Sequence, residues 1–429
     1  MKVLLIEFNP FQPVHTPISL GFLAARLKQL GSRAEILNLG SDAAISPRQL
    51  ARFLTTFRPD LIGFSAYQRN VFLLKGLAAA CREILPECLL LLGGPQATFI
   101  PTGALVDLAP IDLVCRAEGE AAMAELVRQA SSIRGRVLRD LPGWSGRDPE
   151  GRLWDGPRLD PAENLDEYPS PYLDGTLQVK GVEEAILLSS RGCPYQCSFC
   201  YTPLAFGRRI RTHSVTRVAE EMLWLWRQGV RRFWFADPSF TFRPERVHRL
   251  FDQLLSCGCH PDIWLETRAD LVDRDLLLKM KQAGVHTVAY GLESACAEVL
   301  IRIRKPLDLD QVEKAIRLTQ EAGLEVELFS QYGLPGERFA DARNTLAFVK
   351  KNRVRIQGNT NPQQMQVYFG TPIERNPEAY GIRRLAESVP SYLSLGSRYE
   401  TEWMTASEIR AIGRLWLEAS EDGGKHLVS

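Results

Sequence analysis

Residues 190–200 read Ser190-Arg191-Gly192-Cys193-Pro194-Tyr195-Gln196-Cys197-Ser198-Phe199-Cys200, a run with three cysteines in CxxxCxxC spacing. Three thiolates this close can bind three irons of a cubane cluster and leave the fourth iron without a protein ligand. A structural zinc ion needs four ligands, and the nearest further candidate, His213, lies 13 positions beyond Cys200. The spacing therefore favours an iron-sulfur cluster on Cys193, Cys197 and Cys200 over zinc.

The cysteine run follows the first strand of a β/α series. Helical patterns separate six apolar strand candidates, at 185–189, 232–236, 263–266, 286–290, 325–330 and 364–368. Six repeats are too few for a closed eight-stranded barrel, so we predict a partial (β/α)6 TIM-type barrel over 181–384. In such barrels the functional site lies at the carboxyl ends of the strands.

Upstream of the barrel, residues 1–135 also alternate short apolar runs with helical periodicity. This pattern predicts an open, doubly wound, Rossmann-like α/β domain. Residues 136–180 are rich in Pro, Gly, Asp and Trp and read as an irregular linker. Residues 385–429 are predicted to be mostly helical.

Composition narrows the class of protein. The 429 residues are 45% hydrophobic and 24% charged, with 52 Lys and Arg against 51 Asp and Glu, so no basic excess suggests nucleic-acid binding. Apolar runs have only strand length, and the opening MKVLLIEFNP is too short for a signal peptide, which predicts a cytoplasmic chain without a membrane span. The nine cysteines include only one tight cluster, and the other six read as structural thiols.

The cysteine spacing, with Phe199 before the last cysteine and a β/α series behind it, strongly resembles the radical S-adenosylmethionine (radical SAM) superfamily. The resemblance implies a 4Fe-4S cluster whose free iron binds S-adenosylmethionine. An electron from the cluster then cleaves the cofactor to methionine and a 5′-deoxyadenosyl radical, which abstracts hydrogen from substrate.

Later motifs carry the same resemblance. The segment 266–270, ETRAD, resembles the family's E-x-R-x-D; 291–294, GLES, resembles GIES; and 333–337, GLPGE, has its counterpart in the family. Asp237 stands where the superfamily often binds the methionine amino group, although the usual glycine pair is missing. The residues expected on the S-adenosylmethionine side are Asp237, Glu266, Arg268, Glu293, Ser294, Gly333, Pro335 and Gly336.

The first domain has no GxGxxG and no P-loop, so a dinucleotide is not expected. Its segments GGPQAT (93–98) and AEGE (117–120) resemble the GGPHAT and GEGE segments of cobalamin-binding domains that precede radical enzymes. The residues expected on the cobalamin side are Ser65, Gly93, Gly94, Pro95, Gln96, Ala97, Glu118 and Gly119.

Two departures bear on the cobalt. The D-x-H-x-x-G motif that supplies a cobalt-binding histidine in several cobalamin enzymes is absent, and Gln96 stands where the family often has histidine. His15 is the only histidine before His213. We therefore expect cobalt without a protein histidine below it.

A cobalamin domain beside a radical SAM barrel implies methylation of an unactivated carbon by way of methylcobalamin. The resemblance also covers cyclases of the magnesium-protoporphyrin ester type, ring contractases and epimerases; a methylthiotransferase or a non-catalytic cobalamin or cluster sensor fits less well. Expected partners are a small-molecule substrate (a natural product, lipid or tetrapyrrole) and an electron donor such as flavodoxin or ferredoxin. The substrate itself is not readable from the sequence.

Overall fold

The chain forms two compact units in a computed structural model that describes residues 1–11, 15–129, 139–148, 150–356, 364–385 and 398–425. The first unit comprises Met1–Gln178, and the second begins at Val179.

The first unit is built on one seven-stranded sheet. Its strands are β1 (Lys2–Asn9), β2 (Arg33–Gly40), β3 (Leu61–Ser65), β4 (Leu89–Gly93), β5 (Leu113–Cys115), β6 (Trp144–Arg147) and β7 (Leu153–Asp155). Their order is β2-β1-β3-β4-β5-β6-β7, parallel from β2 to β5 and antiparallel beyond it. The chain reverses direction across the sheet between β1 and β3, and such a switch point favours ligand binding at the strands' carboxyl ends.

Helices cover both faces of this sheet because its parallel strands present apolar side chains on both faces. The helices are α1 (Ile18–Gln29), α2 (Pro47–Phe57), α3 (Val71–Ile84), the short α4 (Pro95–Phe99) and α5 (Gly119–Arg128). Leu4 and Ile6 pack with α2 and α3, whereas Val3 and Leu5 pack with α1 and α5. The predicted doubly wound domain is confirmed.

The segment predicted as a linker, 136–180, differs in the structure. Its described part from residue 139 to Gln178 belongs to the first unit, where β6 and β7 extend the sheet. Trp144 is fully buried, and its indole N–H donates to the backbone oxygen of Ala122 at 2.9 Å. The domain boundary at 135 therefore needs correction to 178. Strands of three or four residues within a Gly- and Pro-rich run leave no periodicity to detect.

The second unit contains a six-stranded parallel sheet in the order β15-β14-β13-β12-β11-β8. These strands are β8 (Glu184–Leu187), β11 (Arg232–Phe235), β12 (Asp262–Thr267), β13 (Val285–Glu293), β14 (Glu325–Ser330) and β15 (Arg355–Ile356). Two short antiparallel pairs accompany it: β9 (Ser190–Arg191) with β10 (Arg211–Thr212), and β16 (Ile382–Arg384) with β17 (Tyr399–Thr401).

Helices connect the strands of this open, partial barrel. They are α6 (Thr202–Ala205), α7 (Val215–Arg227), α8 (Pro244–Ser256), α9 (Arg274–Gln282), α10 (Ala297–Arg302), α11 (Leu309–Glu321), α12 (Phe339–Lys351), α13 (Pro372–Arg375) and α14 (Ala406–Lys425). Five predicted strands are confirmed. The prediction of a sixth strand at 364–368 is wrong. The sixth strand of the sheet is β15, at Arg355–Ile356, and Gln364 forms only an isolated bridge with Tyr332.

The predicted helical tail is present as α14, which follows β17. No helix in the described part of the chain is long and apolar enough to cross a membrane.

The junction between β3 and β4 depends on Gly94. This residue has φ +97°, and a Cβ there would lie 2.8 Å from the backbone oxygen of Ala66. That oxygen accepts a hydrogen bond from the backbone N–H of Gln96 at 3.2 Å. A side chain at position 94 would therefore push the two loops apart.

We expect Gly94→Ala to lower the free energy of unfolding of the first unit by about 1–3 kcal/mol, because the backbone is left-handed and crowded. Gly76→Ala is the matched control: Gly76 lies within α3 with no atom within 4 Å of its added Cβ, so helix propensity favours alanine by at most about 1 kcal/mol. Thermal unfolding measures both. Equal melting temperatures for the two variants would contradict this account of the loop.

Candidate functional site

The cysteine loop leaves β8 and is framed by the β9–β10 pair. The backbone N–H of Cys193 donates to the oxygen of Gly207 at 3.1 Å, and that of Ser198 donates to the oxygen of Ile303 at 2.8 Å. Gly192 has φ +94°, and a Cβ there would lie 2.3 Å from the backbone oxygen of Arg209. Backbone hydrogen bonds at Cys193 and Ser198 thus hold the loop that carries the three cysteines.

Cys193, Cys197 and Cys200 are free, partly exposed thiols. Burial raises the pKa of all three, that of Cys197 to about 11, while the nearby Lys305 ammonium opposes the shift. Among the described residues, no three His, Cys, Asp or Glu side chains are placed to hold a single metal ion. In a cubane each cysteine binds a different iron, so convergence on one point is not required.

Lys305 is a charged residue that the sequence patterns did not single out. It is 7% exposed, and its ammonium donates to Oε1 of Glu293, also buried, at 2.7 Å. Gly291 makes room for it: a Cβ at that position would lie 2.5 Å from Nζ of Lys305. Lys305 is therefore a buried positive charge in the electrostatic surroundings of all three cysteines.

Glu293 lies where β13 is irregular, with a register shift against β14 between Gly291 and Glu293. Its φ is +66°, and its Oε2 accepts from the amide of Gln331 at 2.6 Å. Such a bulge re-aims a side chain at the end of a strand. The neighbouring Ser294 is fully buried, and its hydroxyl accepts from the backbone N–H of Cys296 at 3.2 Å.

Glu266, near the end of β12, is partly buried and interacts electrostatically with Lys305 and Glu293. Burial raises its pKa to about 8, and the carboxylates of Asp237, Glu293 and Glu327 add to the shift, whereas Lys305 opposes it. Its carboxyl group is thus poised to carry or lose a proton near neutral pH.

Arg268 faces the cysteine loop. Its guanidinium lies 3.9 Å from the ring centroid of Tyr195 and forms two hydrogen bonds, of 2.8 and 2.7 Å, with the Asp270 carboxylate. The E-x-R-x-D spacing therefore clamps Tyr195, a residue between two of the cysteines, through a cation–π contact.

Asp237 is fully buried and already has partners. Its carboxylate accepts from the backbone N–H of Ser189 at 3.1 Å, from the hydroxyl of Ser189 at 2.9 Å and from the hydroxyl of Ser190. Arg246 donates to the same Ser189 hydroxyl at 3.2 Å. These contacts favour a role in fixing the start of the cysteine loop over contact with a ligand.

The GLPGE segment is closed by its own glutamate. Oε2 of Glu337 accepts from the backbone N–H of Gly333 at 2.7 Å, and the hydroxyl of Tyr399 donates to the oxygen of Gly333 at 3.0 Å. Burial raises the pKa of Glu337 to about 8. Pro335 is buried within this turn, and Gly336 approaches Arg302 so closely that a Cβ would lie 2.8 Å from its Cδ.

One face of the second sheet carries partly exposed aromatic residues. Trp234 and Trp264 are in contact with centroids 5.7 Å apart, and Trp264 contacts Phe329 at 5.9 Å. The indole N–H of Trp264 donates to Glu327 at 3.0 Å. Residues of alternate register, such as Phe235, face the helices and are fully buried. Phe240, by contrast, belongs to the buried core.

In the first unit, the predicted cobalamin-side residues lie at or just beyond the ends of β3, β4 and β5, in or beside the loops that follow these strands. Asn70 ties the first of these loops to β1: its amide donates to the backbone oxygens of Phe8 and Ser65, both at 2.9 Å. Ser65, Gln96, Ala97 and Glu118 are buried. Gly93 ends β4, Gly94 and Pro95 begin α4, and Gly119 begins α5 against Leu23.

Arg116 organises these loops, and no motif pointed to it. Its guanidinium donates to the backbone oxygens of Ala97 at 2.8 Å and Ile100 at 2.5 Å, and to the hydroxyl of Ser145 on β6 at 2.8 Å. The added strand β6 therefore anchors the GGPQAT turn. His15 is exposed, and only its backbone oxygen has a described contact, with the Asn38 amide at 2.7 Å.

Two family models match the chain in the predicted order. The B12 binding domain matches residues 8–127, and the Radical SAM superfamily matches residues 187–349. The two domains define a radical SAM enzyme with a B12-binding domain ahead of its barrel.

Curated relatives extend over most of the chain. An uncharacterized methyltransferase of Pyrococcus horikoshii is 30% identical over 340 residues, covering 78% of this chain and 73% of its own length. The hopanoid C-3 methylase of Methylococcus capsulatus is 29% identical over 344 residues, covering 76% of this chain and 64% of its own. The chain thus belongs to the cobalamin-dependent radical S-adenosylmethionine methyltransferases, whose cofactors are a 4Fe-4S cluster, S-adenosylmethionine and cobalamin.

The fold has solved counterparts. The radical S-adenosylmethionine methyltransferase TsrM from Kitasatospora setae, with cobalamin and a [4Fe-4S] cluster bound, matches with a TM-score of 0.77 at 18% identity. The match covers 96% of this chain and 90% of that one. The predicted family, fold class and enzyme class are confirmed.

The Lys305–Glu293 pair yields a stability prediction. We expect Lys305→Met to destabilise the second unit by about 3–5 kcal/mol, because Glu293 would remain buried and charged without its only ion-pair partner in the described chain. The double variant Lys305→Met, Glu293→Gln leaves no such charge and should regain most of this loss. Chemical denaturation of the cluster-free protein measures both, and additive losses in the double variant would contradict a coupled pair.

Proposed function

We propose that the chain methylates an unactivated carbon of a small molecule by radical chemistry. The observation that carries this proposal is the pairing of a tied CxxxCxxC loop at the strand ends of one unit with a cobalamin-type GGPQAT turn at the strand ends of the other. The similarity to the hopanoid C-3 methylase of Methylococcus capsulatus adds support.

The three cysteines fit a cubane because they are free, partly exposed and close together in one short loop. We assign Cys193, Cys197 and Cys200 as its ligands. When bound, the cluster supplies the electron that cleaves S-adenosylmethionine, and cobalamin supplies the methyl group.

The surrounding residues hold and balance this centre. Lys305 offsets the negative charge of a thiolate-bound cluster, and Arg268 holds Tyr195 over the loop. Asp237 acts as a positioning residue through Ser189. On the S-adenosylmethionine side we retain Glu266, Glu293, Ser294, Gly333, Pro335 and Gly336 as binding candidates.

For cobalamin, the candidate residues are those of the three loops after β3, β4 and β5. Ser65, Gly93 to Ala97, Glu118 and Gly119 form these strand ends, with Arg116 fixing the turn from behind. The first unit offers no histidine besides His15 in the sequence, and we propose cobalt without a protein imidazole.

The aromatic face formed by Trp234, Trp264 and Phe329 is our candidate for the substrate-contacting surface. Its rings are partly exposed on the side of the sheet that faces away from the helices. Apolar rings with a few polar groups, here Glu266 and Glu327, are typical of small-molecule sites. We therefore propose a substrate with a sizeable apolar or aromatic part.

All nine cysteines are free, which supports our further proposal that the chain works in the reducing cytoplasm.

A second reaction deserves a direct comparison, because an anaerobic magnesium-protoporphyrin IX monomethyl ester cyclase of Rubrivivax gelatinosus is 27% identical over 334 residues. A cyclase joins two atoms of its substrate, whereas a methylase adds one carbon. Product analysis separates the two.

We expect Cys200→Ala to remove the cluster's visible absorption and to abolish cleavage of S-adenosylmethionine, because one iron loses its only protein ligand. Cys257→Ala is the matched control, since Cys257 is exposed and lies outside the loop, and it should behave as wild type. Iron and sulfide analysis after anaerobic reconstitution provides the measurement. A full cluster in the Cys200 variant would refute the ligand assignment.

With methyl-labelled S-adenosylmethionine, cobalamin and a reductant, a substrate screen should yield S-adenosylhomocysteine, 5′-deoxyadenosine and a product heavier by one methyl group. The two nucleosides should form in about equal amounts, because each turnover uses one cofactor molecule as methyl donor and another as radical source. Mass spectrometry follows all three. Deoxyadenosine with a rearranged, unlabelled product would favour a cyclase instead.

A further inference from the structure

A surface groove runs beside the cysteine loop. It has a volume of about 470 Å³ and is lined by Pro194, Tyr195, Gln196, Ile301, Arg304 and Pro306. A second depression, of about 620 Å³, shares Ile301 and contains Arg302, Arg338 and Trp403 together with Glu298, Gly336 and Asp341. We call these two depressions, which share Ile301, the loop-side groove.

The loop-side groove lies directly against the cysteine loop. Tyr195 and Gln196, on one wall, stand between Cys193 and Cys197 in the chain. The opposite wall is hydrogen-bonded to the loop, since the backbone oxygen of Ile303 accepts from the N–H of Ser198 at 2.8 Å. A molecule seated in the groove would therefore contact the residues that separate two cysteine ligands.

The groove combines an apolar centre with positive charge. Ile301 is 67% exposed and lines both depressions, so it offers an apolar contact at the centre of the groove. Aromatic rings hold two of the arginines: Arg302 lies 4.6 Å from the centroid of Trp403, and Arg304 lies 6.0 Å from that of Tyr380. Neither arginine, nor Arg338, forms an ion pair within the described chain.

The carboxylates of the groove offset these positive charges only in part. Of its two acidic residues, Asp341 accepts from the backbone N–H of Arg338 at 2.9 Å and so caps α12. Glu298 is the other. Three arginines against two acids leave the groove net positive, which complements an acidic partner.

We propose that the loop-side groove is the docking surface for the protein that reduces the cluster, a small acidic flavoprotein of the flavodoxin type. This inference rests on the proposed function, because the electron acceptor is the cluster bound by the three cysteines. The donor's anionic flavin hydroquinone gives up one electron and becomes the neutral semiquinone, while the oxidised cluster gains that electron. No bond forms or breaks in this step.

The test uses the full-length, anaerobically reconstituted protein and a purified acidic flavodoxin, with cluster reduction followed by stopped-flow absorbance. We expect Ile301→Glu and Arg304→Glu each to lower the second-order reduction rate about ten-fold, since they replace an apolar or positive contact with negative charge. The wild-type rate should fall as salt rises, and the variants should show a weaker salt dependence.

Matched controls place the same substitutions elsewhere in the second unit. Leu417 is 55% exposed on α14 and Arg227 is exposed at the end of α7, both outside the groove. Leu417→Glu and Arg227→Glu should leave the rate with flavodoxin unchanged. All four variants should be reduced by dithionite at the wild-type rate, because a small reductant needs no docking surface.

The proposed function, the docking surface and the choice of partner would each be contradicted by a different result. If dithionite produces no reduced cluster in the wild-type protein, the proposed function fails. If dithionite reduces the cluster normally but the groove variants react with flavodoxin like the controls, the docking proposal is overturned. Reduction of the wild type by an acidic ferredoxin but not by flavodoxin would overturn the choice of partner.

Discussion

The buried ammonium of Lys305 is the charge on which the arrangement of the second unit's site depends. It lies among carboxylates that would otherwise repel one another and near the three cysteines, and its 2.7 Å contact with Glu293 is nearly shielded from solvent. Two features of the chain follow from it. Gly291 has no room for a side chain, and Glu293 adopts φ +66° at a bulge so that its carboxylate meets the ammonium.

Several charged residues of the strand-end motifs bind groups of the neighbouring loops and do not point into open space. Asp237 holds the residues before the cysteine loop, Arg268 holds Tyr195 within it, and Glu337 closes the turn that contains Gly333. Because a buried charge is costly unless it is paired, each of these residues stabilises one loop conformation. A centre that must hold a cluster and a cofactor in fixed positions benefits from such preorganisation.

In the first unit, one arginine and two short strands fix the conformation of the strand-end loops. Arg116 gathers the backbone oxygens at the end of α4, and β6 supplies the Ser145 hydroxyl that fixes its guanidinium. The Asp155 carboxylate on β7 accepts from both Ser145 and Thr102, so the added hairpin supports the turn that begins with Gly94. The β6–β7 hairpin, whose sequence has no regular pattern, thus stabilises the turn that carries the GGPQAT motif.

The sequence by itself determined the class of protein, because cluster chemistry demands three cysteines at short spacing and parallel strands demand apolar runs. It also predicted the doubly wound domain, five of six barrel strands and the motif-bearing strand ends. Lys305, Arg116, Trp264 and the β6–β7 hairpin emerged only in the tertiary structure. The reason is that their roles arise from contacts between distant segments, such as Lys305 with Glu293 or Arg116 with Ser145, and such contacts leave no periodicity in the chain.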